Sequence, residues 1–173
     1  VTYLPHFIST VVIAGMIINF LSPTDGIVNT LLASMGMAKI NFMMAPEWFR
    51  SIFTVSGIWQ SFGFSSIIYI AAIMGIDQEM YDSGKIDGVN KFQEVWHLTL
   101  PSLKPTIVIL FLLSIGGIMS VNFEKVYLLY NGATYETADV IQTYVYRRGL
   151  IDSDFSFASA VGIFQSVISF ILV

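Results

Sequence analysis

Residues 82–92 have the sequence Asp82-Ser83-Gly84-Lys85-Ile86-Asp87-Gly88-Val89-Asn90-Lys91-Phe92, and residues 96–105 continue it as Trp96-His97-Leu98-Thr99-Leu100-Pro101-Ser102-Leu103-Lys104-Pro105. This is the densest polar segment of a chain that is otherwise strongly apolar. Acidic residues just before it favour the start of a helix, and Asp87-Gly88 is a strong turn signal. Val89, Phe92 and Trp96 recur at the spacing of a second short amphipathic helix. The residues alone leave two interpretations open, a helical docking surface or a solvated loop at the membrane interface.

The composition indicates a membrane protein. Of the 173 residues, 55% are hydrophobic and 12% are charged, and the mean hydropathy is +0.72. Soluble domains carry about 25% charged residues, so this low share together with the apolarity indicates an integral membrane protein. The formal net charge of −4 is small, and no nucleic-acid partner is expected. Without cysteine, the chain has no disulfide, thiolate metal site or cysteine nucleophile, and no cofactor is expected.

Four apolar runs approach the length needed to cross a bilayer, about 20 residues of helix for a core ~30 Å thick. They cover residues 7–21, 52–76, 106–129 and 157 onward. Because backbone amides in lipid must be satisfied internally, each run is expected to be helical, and the continuous apolar pattern argues against barrel strands. The sequence therefore predicts one all-α integral membrane domain over residues 1–173, with about four transmembrane helices. No charged leader precedes the first run, which suggests an internal piece of a longer protein.

The segments between these runs are assigned to the membrane surface. Residues 29–50 are semi-apolar and rich in methionine, which predicts an interfacial or re-entrant segment with Trp48 and Arg50 at headgroup level. Residues 130–155 predict a surface loop with one short amphipathic helix near 138–147, and its tyrosines either anchor at the interface or contact sugars. The basic residues do not orient the chain, because the 77–105 loop and the opposite loop carry equal numbers of them.

Polar residues inside the apolar runs are the candidates for a translocation path. Such groups are costly in lipid and usually face a cavity or another helix. They are Gln60, Ser61, Ser65 and Ser66 in the second run and Asn122 and Glu124 late in the third. We take Gln60, Ser61, Asn122 and Glu124 as the path candidates. The alternatives are interhelical hydrogen bonding and, for Glu124, a local pair with Lys125.

The 82–105 segment resembles the EAA loop of binding-protein-dependent ABC importer permeases, whose pattern is Glu-Ala-Ala, three residues, Gly, about nine residues and Ile-x-Leu-Pro. With that glycine on Gly88, Glu-Ala-Ala falls on Asp82, Ser83 and Gly84. The chain departs from the pattern at these three positions and at Leu98, and it keeps an acid, the glycine and Leu-Pro. The chain resembles the polysaccharide and oligosaccharide subgroup of these permeases over essentially its whole length. The segments that carry this resemblance are Tyr3-Leu4-Pro5-His6-Phe7-Ile8-Ser9, Trp59-Gln60-Ser61-Phe62-Gly63 and the segment from Trp96 to Pro105.

This resemblance implies a type I importer with the MetI-like permease fold. In such importers two permease subunits form the pathway, cytoplasmic ABC ATPases drive it, and an extracytoplasmic solute-binding protein delivers the cargo. The second permease subunit is expected to be a different chain. The ATPase-coupling residues that the match implies are Asp82, Ser83, Gly84, Asp87, Gly88, Phe92, Leu100 and Pro101. Residues 77–105 would then be cytoplasmic and residues 22–50 and 130–155 extracytoplasmic, in a multi-pass protein surrounded by lipid in the bacterial cytoplasmic membrane.

The expected function is ATP-driven import of a carbohydrate, an oligosaccharide or polysaccharide fragment, without covalent chemistry by this chain. The sequence has no GxxxxGK(S/T) loop to hold nucleotide phosphates, so ATP hydrolysis is assigned to a partner ATPase. Two alternatives are open. One is the same importer class with another cargo, such as a peptide, an amino acid or phosphate. The other is a membrane anchor or enzyme whose loop only lies at the interface.

Overall fold

The computed structural model describes residues 2–117 and 121–172, and within them the chain is helical without β-strands. The α-helices in chain order are α1 (Thr10–Phe20), α2 (Ile27–Ser34), α3 (Pro46–Met74), α4 (Gln78–Ile86), α5 (Lys91–Glu94), α6 (Leu100–Gly116), α7 (Phe123–Leu129), α8 (Tyr135–Ala138), α9 (Ile141–Tyr146) and α10 (Phe155–Leu172). Short 3₁₀ turns cover Leu4–Phe7 and Phe42–Met44, and π-helical turns cover Val95–Thr99 and Arg147–Ile151. The predicted all-α architecture is confirmed.

Three helical stretches are long and apolar enough to cross a membrane: α3 with 29 residues, the continuous stretch Lys91–Gly116 with 26, and α10 with 18. At 1.5 Å per residue α3 is ~43 Å long, well above the ~30 Å of a bilayer core. Few residues of these helices are buried within the chain, so lipid or further protein must cover them. The first predicted span is the shorter apolar helix α1, with 11 residues, which is about half the length of a bilayer core.

The third span differs from its prediction. Its helix starts at Lys91 rather than at residue 106, includes Pro101 and Pro105, and ends at Gly116. Residues 118–120 lie outside the described part of the chain, and Asn122 has non-helical dihedrals (φ −63°, ψ 89°). The Asn122 side chain accepts a hydrogen bond from the Lys125 backbone N–H (3.1 Å), which satisfies a free donor in the first turn of α7. One helix over residues 106–129 is therefore wrong, because α7 is a separate element.

Other helix boundaries follow from local caps. α3 begins at Pro46 rather than at the predicted residue 52, because proline is favoured in the first helical turn and Glu47 complements the helix N-terminus. In the segment predicted to be interfacial or re-entrant, α2 has 8 residues and is too short to span. The helix predicted near 138–147 begins at Ile141, because Val140 is extended and its N–H donates to Thr143 Oγ1 at 3.0 Å.

The hydrophobic core of the chain lies at the N-terminal end of α3. Its buried members come from α1, α3, α7 and α8 and are Ala14, Phe49, Val126, Leu129 and Ala138. Two hydrogen bonds join the same region, from Asn131 Nδ2 to the Met43 carbonyl oxygen (2.6 Å) and from Thr137 Oγ1 to the Pro46 carbonyl oxygen (2.7 Å). The segment before α3 and the segment after α6 therefore lie together at one end of the chain. α4 follows the opposite end of α3, ~43 Å away.

Candidate functional site

The 77–105 segment contains two short helices that form a hairpin. Asp77 starts α4, and its Oδ1 accepts a hydrogen bond from the Glu79 N–H (2.9 Å). On α4, Lys85 Nζ lies 2.9 Å from Asp82 Oδ1, and this hydrogen bond and opposite charge lower the pKa of Asp82 and raise the pKa of Lys85. Both side chains are solvated, so the pair contributes little to stability. Asp82, a predicted coupling residue, is thus an exposed carboxylate.

The turn of the hairpin is fixed at Gly88. The Gly88 N–H donates to the Lys85 carbonyl (3.1 Å) and the Val89 N–H to the Gly84 carbonyl (3.0 Å), the two bonds of a Schellman motif. Gly88 has φ +75°, a left-handed conformation that costs other residues about 1–2 kcal/mol. A Cβ at Gly88 would have no atom within 4 Å, so the requirement for glycine is conformational. The predicted Asp-Gly turn is confirmed.

The second helix of the hairpin continues into a span. Asn90 begins α5 with a capping box, in which its Oδ1 accepts from the Gln93 N–H and Gln93 Oε1 accepts from the Asn90 N–H, both at 3.0 Å. α5 then passes through the π-helical turn into α6 without a break, as the stretch Lys91–Gly116. A displacement of α5 is therefore transmitted to a spanning helix without an intervening loop.

α4 touches the π-helical turn that follows α5, and the contact is at Gly84. A Cβ on Gly84 would lie 2.8 Å from Leu98 Cδ1, so the absence of a side chain permits the close approach. Tyr81 OH lies 3.1 Å from Thr99 Oγ1, which adds a polar contact between α4 and the π-helical turn. α4 is thus held against the π-helical turn that leads into α6.

The most exposed apolar side chains of this segment are Ile86, Phe92 and Trp96, and Val95 beside Trp96 is exposed as well, at 54%. Ile86 is 88% exposed, Phe92 79% and Trp96 61%. Ile86 ends α4 and Phe92 lies in the first turn of α5, so both flank the Gly88 turn. The predicted stripe of Val89, Phe92 and Trp96 is therefore open to a partner except at Val89, which is half-buried. Ile86 was missed as a site residue, although an isolated apolar residue directly before Asp-Gly was the available signal.

The eight predicted coupling residues fall into three groups. Five are exposed on the hairpin near its turn, namely Asp82, Ser83, Asp87, Gly88 and Phe92. Gly84 is buried at the contact between the helices. Leu100 and Pro101 are exposed in the first turn of α6, about two helical turns beyond Phe92. The structure thus brings the first group together and places the last pair in the spanning helix.

The predicted path residues of α3 are partly satisfied by their own helix. Ser61 Oγ and Ser66 Oγ each donate to the carbonyl four residues earlier, at 2.9 and 2.8 Å, which allows a hydroxyl to lie in an apolar helix. Gln60 is half-buried on the same helix, and Ser65 is exposed. A role of these residues in a path stays a prediction.

Asn122 and Glu124 do not lie in the third span. Asn122 caps α7, and Glu124 is exposed in the first turn of that helix. The alternative that Glu124 pairs with Lys125 is wrong, because adjacent residues on a helix do not face each other and Lys125 points into the protein. Contact of Asn122 or Glu124 with cargo stays a prediction.

Lys125 is a buried polar residue that the sequence analysis did not predict to be a site residue. It is 2% exposed, and its Nζ has no hydrogen-bond partner within the described residues. The nitrogen lies 5.6 Å from the centre of the Phe53 ring and 4.0 Å from the position of a Cβ on Gly57, both in α3. Burial lowers the pKa of Lys125, because hydration of the ammonium is lost. Gln165 in α10 was also missed, and its buried Nε2 has no partner in the described part of the chain.

The spans and the hairpin have counterparts in known proteins. A family model described as a binding-protein-dependent transport system inner membrane component matches residues 1–173. The chain belongs to this family. The predicted family, the MetI-like permease fold and the location in the bacterial inner membrane are thereby confirmed, and the chain is a transport component rather than an enzyme.

Curated relatives cover this permease almost completely. The polygalacturonan/rhamnogalacturonan transport system permease protein YteP of Bacillus subtilis (strain 168) is 41% identical over 99% of this chain and 53% of its own length. Protein LplB of the same organism is 36% identical over 99% of this chain and 54% of its own length. The permease chain therefore spans about half the length of these relatives.

Solved structures of a bacterial alginate transporter match the fold closely. One is the crystal structure of a bacterial ABC transporter involved in the import of the acidic polysaccharide alginate, with a TM-score of 0.95 and 46% identity over 99% of this chain and 60% of that chain. The other is a bacterial alginate ABC transporter in complex with an alginate pentasaccharide-bound periplasmic protein. It has the same TM-score and identity, over 99% of this chain and 59% of that chain.

Proposed function

We propose that this permease belongs to an ABC importer for acidic oligosaccharides, and that a separate ATPase drives it by binding the hairpin of residues 77–105. The observation that carries the proposal is the exposed apolar surface beside the Gly88 turn, at the end of α3 opposite the hydrophobic core. Membership of the family and the likeness to the alginate transporter support the importer class.

The hairpin has the properties of a helical element that docks into a groove. Ile86 and Phe92 flank a turn whose shape is set by backbone hydrogen bonds, so they are presented in fixed positions. Covering an exposed apolar side chain of this size yields about 1.5–3 kcal/mol, and helix-in-groove recognition relies on such anchors. We place the ATPase on this surface, which makes the hairpin cytoplasmic.

Two features would transmit movement of the ATPase to the spans. Gly84 packs against Leu98, so α4 and the start of α6 would move together. The stretch Lys91–Gly116 is continuous, so a shift at Phe92 would displace the whole helix. In this proposal Leu100 and Pro101 act in transmission, within that helix, rather than in contact with the ATPase.

The opposite end of the chain would receive the extracytoplasmic solute-binding protein, on residues 22–50 and 130–155. One of the matched alginate structures contains such a periplasmic protein, which supports a binding protein as a partner. A second permease subunit, expected to be a different chain, would cover those apolar faces of α3, α6 and α10 that lipid does not. The path between the subunits would involve Gln60 and Ser61, with Asn122 and Glu124 at its outer end.

The class of cargo is inferred from the relatives. YteP is named for polygalacturonan and rhamnogalacturonan, and the matched structure is named for the acidic polysaccharide alginate. These polymers share sugars that bear a carboxylate. We therefore favour a uronate-containing oligosaccharide over a peptide, an amino acid or phosphate.

Purification of the full-length protein tests the proposal. In mild detergent it should retain an ABC ATPase, and in proteoliposomes with its partners it should import trigalacturonate or an alginate oligosaccharide. Phe92→Ala should weaken retention of the ATPase by about tenfold or more, since one apolar anchor is lost. Phe111→Ala is the matched control, because Phe111 in α6 is also largely exposed, at 61%, but lies outside the hairpin. Equal retention by both variants would remove the ATPase from this surface, and no retention by the wild type would favour a membrane anchor.

A further inference from the structure

The buried ammonium of Lys125 lacks a counter-charge. Among the described residues with buried side chains, Lys125 is the one that carries a charge. A charged group normally enters a protein interior only with a paired charge or with acceptors for its hydrogens. Within the same residues Lys125 Nζ has neither, and its polarisable neighbour is the face of the Phe53 ring at 5.6 Å. A cation–π contact recovers only part of the lost hydration.

The surroundings of Lys125 would accept an apolar residue more readily. The inward face of α7 also carries Val126 and Leu129, which belong to the hydrophobic core. Two polar residues that precede Lys125 on the chain provide no partner, because Asn122 accepts from the Lys125 backbone N–H and Glu124 is exposed. Within the described residues no carboxylate pairs with Lys125 Nζ, so a counter-charge for this ammonium would come from outside them.

Lys125 points at a face of α3 that also carries a polar residue. Phe53, Gly57 and Gln60 are spaced by four and three, so they lie on the same side of that helix. Lys125 Nζ is the nearest atom to the Cβ position of Gly57, at 4.0 Å. Gln60, one turn further along, has an amide that can both donate to and accept from hydroxyl groups. A cation and an amide on one face match the carboxylate and hydroxyls of an acidic sugar.

We infer that Lys125 binds the carboxylate of a uronate oligosaccharide during transport, with Gln60 available to the hydroxyls of the same cargo. The inference rests on the proposed function for the acidic class of cargo. In this structure α7 and α3 cover the Lys125 ammonium. Cargo would therefore reach the ammonium only when these two helices separate. When α7 and α3 are apart, the Lys125 ammonium would pair with the carboxylate of the cargo instead of being buried without a counter-charge. Acidic cargo would therefore stabilise the state in which these two helices are separated.

Transport by the assembled, full-length importer in proteoliposomes tests this role. Lys125→Met should leave assembly intact and keep or raise the melting temperature, because it removes an uncompensated buried charge. Uptake of trigalacturonate should fall by about 10- to 100-fold, the usual effect of losing one hydrogen bond to a charged group. Trigalacturonate whose carboxyl groups are reduced to alcohols should be taken up equally by both proteins. Lys125→Arg is the matched control, because it keeps a cation at the same position. It should import more trigalacturonate than Lys125→Met and should take up the reduced sugar at the same rate.

A second measurement does not depend on uptake of the reduced sugar. Trigalacturonate should raise the melting temperature of the wild-type complex more than that of Lys125→Met. Equal uptake and equal thermal shifts in the two proteins would overturn the inference while leaving the proposed function intact. Failure of Lys125→Met to assemble would also overturn it, and would assign the counter-charge to a neighbouring subunit. If the wild type imports no uronate oligosaccharide, the proposed cargo itself is wrong.

Discussion

Two replacements of Gly88 distinguish the backbone conformation that the hairpin turn needs from the mere presence of a side chain there. Gly88→Val should disturb coupling and Gly88→Asn should largely preserve it, because asparagine enters the left-handed region more readily than β-branched residues do. Both side chains would project into the same space, where no atom lies within 4 Å of the Cβ position. The difference between the two variants therefore reports the backbone requirement at φ +75°.

The expected magnitude follows from two competing responses of the turn. If the turn stays closed, a residue with a Cβ bears the left-handed conformation at about 1–2 kcal/mol. If it opens, the bonds from Gly88 N–H to Lys85 and from Val89 N–H to Gly84 are lost, each contributing about 0.5–1.5 kcal/mol. The strain therefore weakens the closed turn of Gly88→Val by about 1–2 kcal/mol, a factor of about 5–30 in its population relative to open forms. Loss of both bonds on opening costs about 1–3 kcal/mol, so the two responses are of similar size.

The assay is stimulation of the ATPase by the loaded solute-binding protein in the reconstituted importer. Stimulation should fall by about fivefold or more in Gly88→Val and stay close to wild type in Gly88→Asn, and the Val89 amide should exchange faster in the valine variant. Full stimulation with valine would refute a coupling role for the turn. An equal loss with asparagine would show that any side chain at this position, rather than its backbone conformation, blocks the contact.

Two further predictions concern the end of the chain that contains the core. Asp139→Asn should destabilise the permease by about 1.5–3 kcal/mol, because Asp139 accepts two hydrogen bonds from Arg147, at 2.9 and 2.5 Å. Arg147 lowers the pKa of Asp139, so the wild type should keep this contribution above about pH 4 and lose it as pH falls through the lowered value. A difference in melting temperature between the two proteins that stays the same from pH 7 to pH 3 would contradict this. Asn29→Ala should cost about 2–4 kcal/mol, since fully buried Asn29 bonds backbone groups of Ser22 and Ile40 (3.0, 2.9 and 2.8 Å), and thermal unfolding close to wild type would refute it.

The hairpin could be predicted from sequence because its determinants are local. The turn needs a residue that adopts positive φ, and the dipeptide Asp87-Gly88 indicates such a turn directly. Asn90 and Gln93 lie at the spacing of a capping box, so the start of α5 was also readable. The spans were visible for a similar reason, since a helix in lipid must be apolar along most of its length. Pro46 signals the early start of α3, whereas the uncharged apolar run from which the span is predicted begins only at Ile52.

The break after Gly116 and the burial of Lys125 could not be predicted in the same way. Apolar residues continue beyond the break, so a hydropathy window does not detect it. α7 is positioned by contacts with α1 and α3, whose core residues Ala14 and Phe49 are distant in sequence. A lysine beside a glutamate late in an apolar run suggests a local ion pair, and only tertiary packing shows that Lys125 turns inward.

The unbroken stretch Lys91–Gly116 has a mechanical consequence. A helix of 26 residues is ~39 Å long, so a tilt of about 10° around the end that joins the hairpin displaces its far end by about 7 Å. A flexible linker between α5 and α6 would absorb such a tilt, whereas a continuous helix carries it to the far end. In the proposed importer, the ATPase would therefore need to move the hairpin only slightly to change the spacing of side chains at the far end of this helix.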